Sequence, residues 1–307
     1  MYKYTLVLID GNGIMHRAYH ALPNLSTTEG TPTNVVYGFL SMLYKVVSDF
    51  LPTHLTVVFD TPKPTFRHQL FKEYQIQRPK IEDSFKIQIP LVKEAISLSE
   101  IYQLEKEGYE ADDIIGTICK NLANKENFNI IIISGDRDIL QLVNEKVRVA
   151  SPVSGISEIK IYDEQEVKEK FNILPQQIVD YKALVGDQSD NYPGAKGIGP
   201  IIASKLINQF KTIDNIYKNI NQIKSEKIKK ILIKEKEKVY LSKKLATIMT
   251  NVPIDIDTYK MRFNGFNKKL KNFLEKYQIN SLIRRIFKEE KIKTEEKKST
   301  TEQKTLF

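Results

Sequence analysis

Apolar positions fall in short runs rich in β-branched residues, at 4–9, 55–59, 130–133 and 146–150. Stretches with helical spacing lie between them, at 35–50, 87–99 and 112–125. Strands apolar at nearly every position are buried on both faces, and strands alternating with helices build a parallel sheet. The pattern predicts an α/β fold around such a sheet. From about Glu164 helices with short loops replace the strands. A glycine-rich turn at 194–200 then opens a helix over 201–207, and Pro200 suits a first helical turn, where its missing N–H costs nothing. Residues 288–307 read as a disordered tail, with no apolar side chain between Ile292 and Leu306. The expected organisation is an α/β domain over 1–165, a helical region over 166–287 and the tail. No fixed-period repeat interrupts it.

Composition adds a partner. The 307 residues are 41% hydrophobic, enough to build a core across two domains, and carry a net charge of +9. Residues 1–217 are net −4, whereas 218–244 are net +7 and 268–288 net +6. A polyanion for the C-terminal half and cations for the N-terminal half follow from that split, with a solvated Lys-rich face as the plain alternative. The single cysteine, Cys119, lies in an apolar run and excludes a disulfide framework or thiolate cluster. His16, His20, His54 and His68 have no zinc-site spacing. The N-terminal apolar run is too short and too early for a signal peptide, and no run approaches a membrane span. A cytoplasmic protein without a membrane partner is expected.

Three strand runs end in carboxylates: Asp10, Asp60, and the pair Asp136 and Asp138. In an open parallel sheet the functional crevice lies at the carboxyl ends of the strands, so these four converge. Glu110, Asp112 and Asp113 open the helix that follows, and Asp187 and Asp190 precede the glycine turn. Singly, Asp112 or Asp113 is equally well a helix cap and Asp187 or Asp190 an Asx turn. Nine acids in one crevice would repel each other, and burying them unpaired costs several kcal/mol. Hard divalent cations relieve this, with all-oxygen ligands suiting Mg²⁺ or Mn²⁺. Two such ions support in-line displacement at phosphorus. No nucleophilic triad and no Gly-Lys-Ser/Thr phosphate loop competes.

Five spaced segments carry a resemblance: Leu8-Ile9-Asp10-Gly11; Val57-Val58-Phe59-Asp60 with Phe66-Arg67-His68; 108–113; Gly135-Asp136-Arg137-Asp138 with Gln141-Leu142; and 186–199. Together they resemble the 5′-nuclease domain of bacterial DNA polymerase I, in the flap endonuclease superfamily. The resemblance spans residues 6–207 in family order, and with no polymerase domain following, a stand-alone form is expected. It implies a PIN-like domain followed by a helix–hairpin–helix variant at 187–207. It also implies one metal group of Asp10, Asp60, Glu110, Asp112 and Asp113, and a second of Asp136, Asp138, Asp187 and Asp190. Arg17 and Arg67 match family residues near the scissile phosphate, for which guanidinium forks are suited; a salt bridge orienting a carboxylate is the alternative.

By the same resemblance, about 70–90 is a helical arch admitting a single-stranded 5′ end. Tyr74, with Phe71 and Phe85, is placed there to stack bases or simply to pack the arch, and Arg78, Lys72 and Lys80 to meet phosphates. The family's Tyr-Lys-x-x-Arg reads Tyr74-Gln75-Ile76-Gln77-Arg78, an uncharged amide replacing an ammonium unless Lys72 reaches in. The turn residues Gly194, Gly197 and Gly199, with Lys196 and Lys205, are expected to hold duplex phosphates, with K⁺ a candidate at the turn. Gln303, Leu306 and Phe307 resemble the peptide by which replication proteins dock on the bacterial sliding clamp, against a ragged end as the alternative. The implied activity is a Mg²⁺-dependent 5′-3′ exonuclease and flap endonuclease. It would act as a monomer on branched or nicked DNA and on RNA primer ends. A catalytically silent DNA-binding module, a PIN-type ribonuclease and an α/β phosphatase are the rivals.

Overall fold

Along β1 (Tyr4–Asp10), Leu6 and Leu8 enter one hydrophobic cluster while Val7 and Ile9 enter another, so the strand is buried on both sides. The computed structural model describes residues 3–79, 81–123, 127–155 and 158–287. β2 (His54–Phe59), β3 (Tyr102–Glu105), β4 (Phe128–Ile133), β5 (Val147–Ser154) and β6 (Glu158–Tyr162) complete a sheet of order β3-β2-β1-β4-β5-β6. β1 pairs in parallel with β2, opposing Ile9 and Val57, and with β4, opposing Ile9 and Ile133. The β2–β3 and β4–β5 pairs are parallel as well. Of these six strands, β6 alone runs antiparallel, as the edge partner of β5, so the all-parallel sheet becomes a mixed one. Both missed strands lie at the edges, where one face is wet and the apolar run is broken by polar residues.

α1 (Gly11–Ala21), α2 (Asn34–Phe50), α3 (Phe66–Leu70), α4 (Asp83–Lys86), α5 (Gln88–Leu98) and α6 (Ala111–Ala123) link the first strands. After β6 come α7 (Glu164–Phe171), α8 (Ile178–Val185), α9 (Pro200–Phe210), α10 (Ile213–Lys218), α11 (Glu226–Lys234), α12 (Lys236–Ala246) and α13 (Lys268–Lys276). α6 and helices α8 to α12 share the first cluster with Leu6, Leu8, Ile130 and Ile132. α1, α2 and α5 cover the opposite face.

Two sequence expectations change here. Residues 268–287 do not stay with the helical region. Leu270, Phe273, Leu274, Leu282 and Ile286 are buried in the second cluster, against the far face of the sheet. Their spacing makes an apolar stripe, which leaves the lysines and arginines of this basic segment pointing outward. In the 70–90 segment the only complete helix among the described residues is the four-residue α4, preceded by turns over 72–77. Phe85 is buried in the second cluster and stacks on His16 at 4.6 Å between ring centroids, so it packs rather than offering a face to a base. Lys80 and the tail with Gln303, Leu306 and Phe307 lie outside the described residues.

Candidate active site

The carboxyl ends of β1, β2 and β4 bring their acids together where each also caps or ties a neighbouring element. Asp10 caps α1 through the Gly13 amide (2.8 Å) and accepts from the buried Ser134 hydroxyl (2.9 Å). Asp60 accepts from the Ala111 amide at 2.7 Å, holding the start of α6 to the end of β2. The Asp136 carboxylate accepts from the Asp138 amide at 2.7 Å, a tight turn beyond β4. Seven of the nine predicted acids, Asp10, Asp60, Glu110, Asp112, Asp136, Asp138 and Asp190, line one crevice of about 640 Å³ with Arg17, Tyr74 and Arg78. Asp187 lines an adjoining cavity of about 1220 Å³ that shares Gly135 and Asp136 with the crevice.

Asp113 is the exception. It is fully buried, and its Oδ1 accepts from Arg67 and the Met249 amide while Oδ2 accepts from Arg67 and the Glu110 amide. Four donors use the lone pairs of both oxygens, so Asp113 cannot face a metal. Arg67 is equally enclosed: it also bonds the Leu245 and Thr247 carbonyls and pairs with Glu110 at 3.2 Å. The orienting salt bridge, the alternative reading for Arg67, is present, and Arg67 also lines the acid crevice. Arg17 makes no such pair among the described residues; its Nε donates to the Gly155 carbonyl at 2.7 Å.

The electrostatics are those of crowded, poorly compensated acids. Burial raises Asp10 to about 7, helped by Asp60, and raises Glu110 to about 7 despite Arg67 beside it. Burial and then Asp136 push Asp138 to about 7 against the pull of Lys182. Asp112 stands well above the ordinary range through burial and the charges of Asp136, Asp10 and Asp60, and among the described residues nothing donates to its carboxylate. Asp187 goes the other way: burial pushes it up, but bonds from Lys182 and Ser189 outweigh this and hold it low. Its bond from the Ser189 amide (2.7 Å) is the Asx turn anticipated as the alternative role.

Three cationic or phenolic groups span the acids. Lys182 of α8 pairs with both Asp138 and Asp187. Arg78 pairs with Asp190 at 2.7 Å, and the buried Tyr74 hydroxyl lies 3.3 Å from Glu110 and 3.2 Å from Asp190. Tyr74 thus bridges carboxylates instead of stacking bases. As the side chains lie, no three acids among the described residues are close enough to hold an ion. Lys182 was missed because it is one of many lysines in the sequence; the signal was its place one helical turn and a residue before Asp187. Lys72 is exposed and is not among the residues lining the crevice.

On the helical side, Gly199 caps α9 with Pro200 as its first residue, as the turn predicted. Lys196, Gly197 and Lys205 are exposed there. Gly194 is not: its buried amide already donates to Ser242 at 3.1 Å, and a Cβ would meet the Gly186 nitrogen at 2.4 Å. Gly194 packs the turn against α12 and offers no N–H to a phosphate, which corrects its expected role.

A mostly parallel sheet with an acid crevice at its strand ends, a short arch over it and a helical domain beside it defines a class of nucleases acting on DNA. The chain belongs to the 5′-3′ exonuclease family: residues 5–172 match its N-terminal resolvase-like domain and 173–269 its C-terminal SAM fold. It is 38% identical over 286 residues to a 5′-3′ exonuclease of Aquifex aeolicus, covering 92% of this chain and 96% of that protein. It is 42% identical over 267 residues to DNA polymerase I of Bacillus subtilis, covering 87% of this chain. It spans about a third of the length of the DNA polymerases I that it matches. Among solved structures, the T5 D15 protein co-crystallised with metal ions superposes with a TM-score of 0.66 at 20% identity, over 88% of this chain and 98% of that one. The catalytic core of Rad2 with DNA substrate gives 0.57 at 17% identity, over 90% and 88%. No described helix is long and apolar enough to cross a membrane.

Proposed function

We propose that the chain is a divalent-metal-dependent 5′-nuclease, cutting single-stranded 5′ arms where they join duplex DNA and removing RNA primer ends. The observation that carries this is the crevice in which seven acids meet at the strand ends, with the Asp112 carboxylate receiving no donor from the described residues. A metal fits that donor set: the oxygens are hard, and the acids are pushed up because nothing adequate neutralises them. Asp10, Asp60, Glu110 and Asp112 would hold one ion, and Asp136, Asp138, Asp187 and Asp190 a second once Lys182 and Arg78 release oxygens to it. Mg²⁺, or Mn²⁺ in its place, would supply Lewis-acid stabilisation of charge at phosphorus. Both halves of the reading have support in proteins of similar fold: the T5 D15 protein co-crystallises with metal ions, and the Rad2 core forms a complex with DNA substrate.

The chain's own groups orient the substrate. Arg78 and Arg17 at the crevice rim offer planar donors to phosphate oxygens. Lys196, Gly197 and Lys205 offer sequence-independent contacts to duplex phosphates. K⁺ at the 194–199 turn, docking of Gln303, Leu306 and Phe307 on a sliding clamp, and action as a monomer complete the proposal. The test is a 5′-labelled double-flap DNA incubated in Mg²⁺, Mn²⁺ or EDTA. Cleavage near the junction in either metal and none in EDTA is expected. Tight flap binding with no cleavage in either metal would leave the silent-module reading in its place.

Proton linkage gives a further prediction. Asp10 and Asp138 rise from 3.8, and Glu110 from 4.5, to about 7, so the metal-free fold binds more protons than the unfolded chain between those values. Its stability therefore falls as pH rises through that window. A divalent cation replaces those protons and removes the penalty. Thermal unfolding with EDTA should show declining Tm from pH 5 to 7.5, and Mg²⁺ should raise Tm strongly at pH 7.5 and little at pH 5. Equal Mg²⁺ stabilisation at both would exclude these acids as the ligands.

A further inference from the structure

The turn that carries Tyr74 and Arg78 is fastened to the helical domain through two consecutive residues. The Gln75 amide donates to the Asp190 carbonyl at 3.0 Å. The Asn191 side chain uses both of its ends: Oδ1 accepts from Gln77 Nε2 at 3.0 Å, and Nδ2 donates to the Glu73 carbonyl at 2.8 Å. Gln75 and Asn191 both have left-handed backbones, at φ of 57° and 58°. Non-glycine residues rarely hold that conformation unless their surroundings demand it, and such strain concentrates at functional segments.

We infer that Asn191 is a positioning residue that clasps the 73–78 turn over the acid crevice. Asparagine meets two demands at once. It tolerates the left-handed backbone better than other L residues, and its amide presents a donor and an acceptor to two points on the turn. Glycine would meet the first demand alone, and aspartate would lose the donor to Glu73. The clasp presets two groups used at the site, the Arg78 guanidinium on Asp190 and the Tyr74 hydroxyl between Glu110 and Asp190. The turn also separates the crevice from the adjoining cavity, with Gln75 lining one and Gln77 and Asn191 the other. The catalytic consequence rests on the nuclease reading; the clasp itself does not.

The test is amide hydrogen exchange on the full chain without DNA, comparing parent, Asn191→Gly, Asn191→Asp, Gln77→Ala and the Gln77→Ala/Asn191→Gly double variant. In Asn191→Gly the Gln75 and Arg78 amides should exchange about tenfold faster or more, as the loss of two hydrogen bonds implies, with α6 amides unchanged. Gln77→Ala and Asn191→Asp should fall between parent and Asn191→Gly. The double variant should match Asn191→Gly, since both changes break one contact. Exchange at Gln75 and Arg78 within twofold of the parent in both Asn191→Gly and Gln77→Ala would overturn the clasp. On flap DNA, Asn191→Gly should lower kcat more than it raises KM, because the duplex contacts lie elsewhere. Faster exchange with no cleavage by the parent would keep the clasp and remove the nuclease reading instead.

Discussion

Asp136→Asn is expected to lower cleavage of flap DNA by about 10³-fold, ~4 kcal/mol of barrier, with no loss of folding stability. Asp136 lines both the acid crevice and the cavity beside it. Its charge raises Asp10 and Asp112 on one side and Asp138 on the other, so it stands between the two acid groups. The amide keeps an oxygen to accept from Asp138, preserving the turn beyond β4. It removes the charge that a divalent cation needs, and it also removes a repulsion from the metal-free protein. Thermal unfolding in EDTA at pH 7.5 should therefore show Tm unchanged or slightly raised, while single-turnover cleavage in Mg²⁺ collapses. Cleavage within about tenfold of the parent, ~1.4 kcal/mol, would place Asp136 outside the reacting centre.

The same residue illustrates what was legible in the sequence. An Asp three residues after the end of β4 announces itself, because the apolar run of a buried strand stops there and parallel strands put their carboxyl ends together. Asp10 and Asp60 were readable for that reason, and the family followed from their spacing with 108–113 and 186–199. What pairs with what was not readable. Arg67 meets Asp113 across 46 positions and the Leu245 and Thr247 carbonyls across nearly 180. No local pattern encodes such a junction, so the way these two residues tie the crevice wall to the helical side is visible only in the structure. For Phe85 and Tyr74 the sequence leaves base stacking and packing of the arch both open, because their neighbours are polar; burial comes from α1, α2 and the acid cluster, which are distant in sequence. Edge strands β3 and β6 escaped because alternation over four or five residues is a faint signal beside a continuous apolar run.

The Arg67–Asp113 pair should show the largest stability effect in the molecule. Both side chains are essentially without solvent contact, and the pair is bidentate, at 2.7 and 2.8 Å. Burial opposes the charge of Arg67, and Asp113 and Glu110 more than restore it. Arg67→Met leaves the Asp113 carboxylate buried with only two backbone amides, and Asp113→Leu leaves the guanidinium facing two carbonyls and Glu110. Removing one partner of a buried pair costs about 3–5 kcal/mol. Because Arg67 joins α3, the start of α6 and the 245–249 segment, that loss should appear as separation of the helical domain from the sheet as well as lower overall stability. Replacing both partners with apolar residues removes both stranded charges, so Arg67→Met/Asp113→Leu should be more stable than either single variant. Urea unfolding of the four proteins measures this directly. A double variant as unstable as the sum of the singles would mean that the bonds to Leu245, Thr247 and Met249, rather than the ion pair, hold the junction. There is also a consequence for the crevice. Arg67 lowers Glu110 more than Asp113 raises it, so removing both pushes that carboxyl further up. The folded double variant should then need a higher pH for half-maximal Mg²⁺ stabilisation than the parent does, which separates a lost scaffold from a lost electrostatic partner.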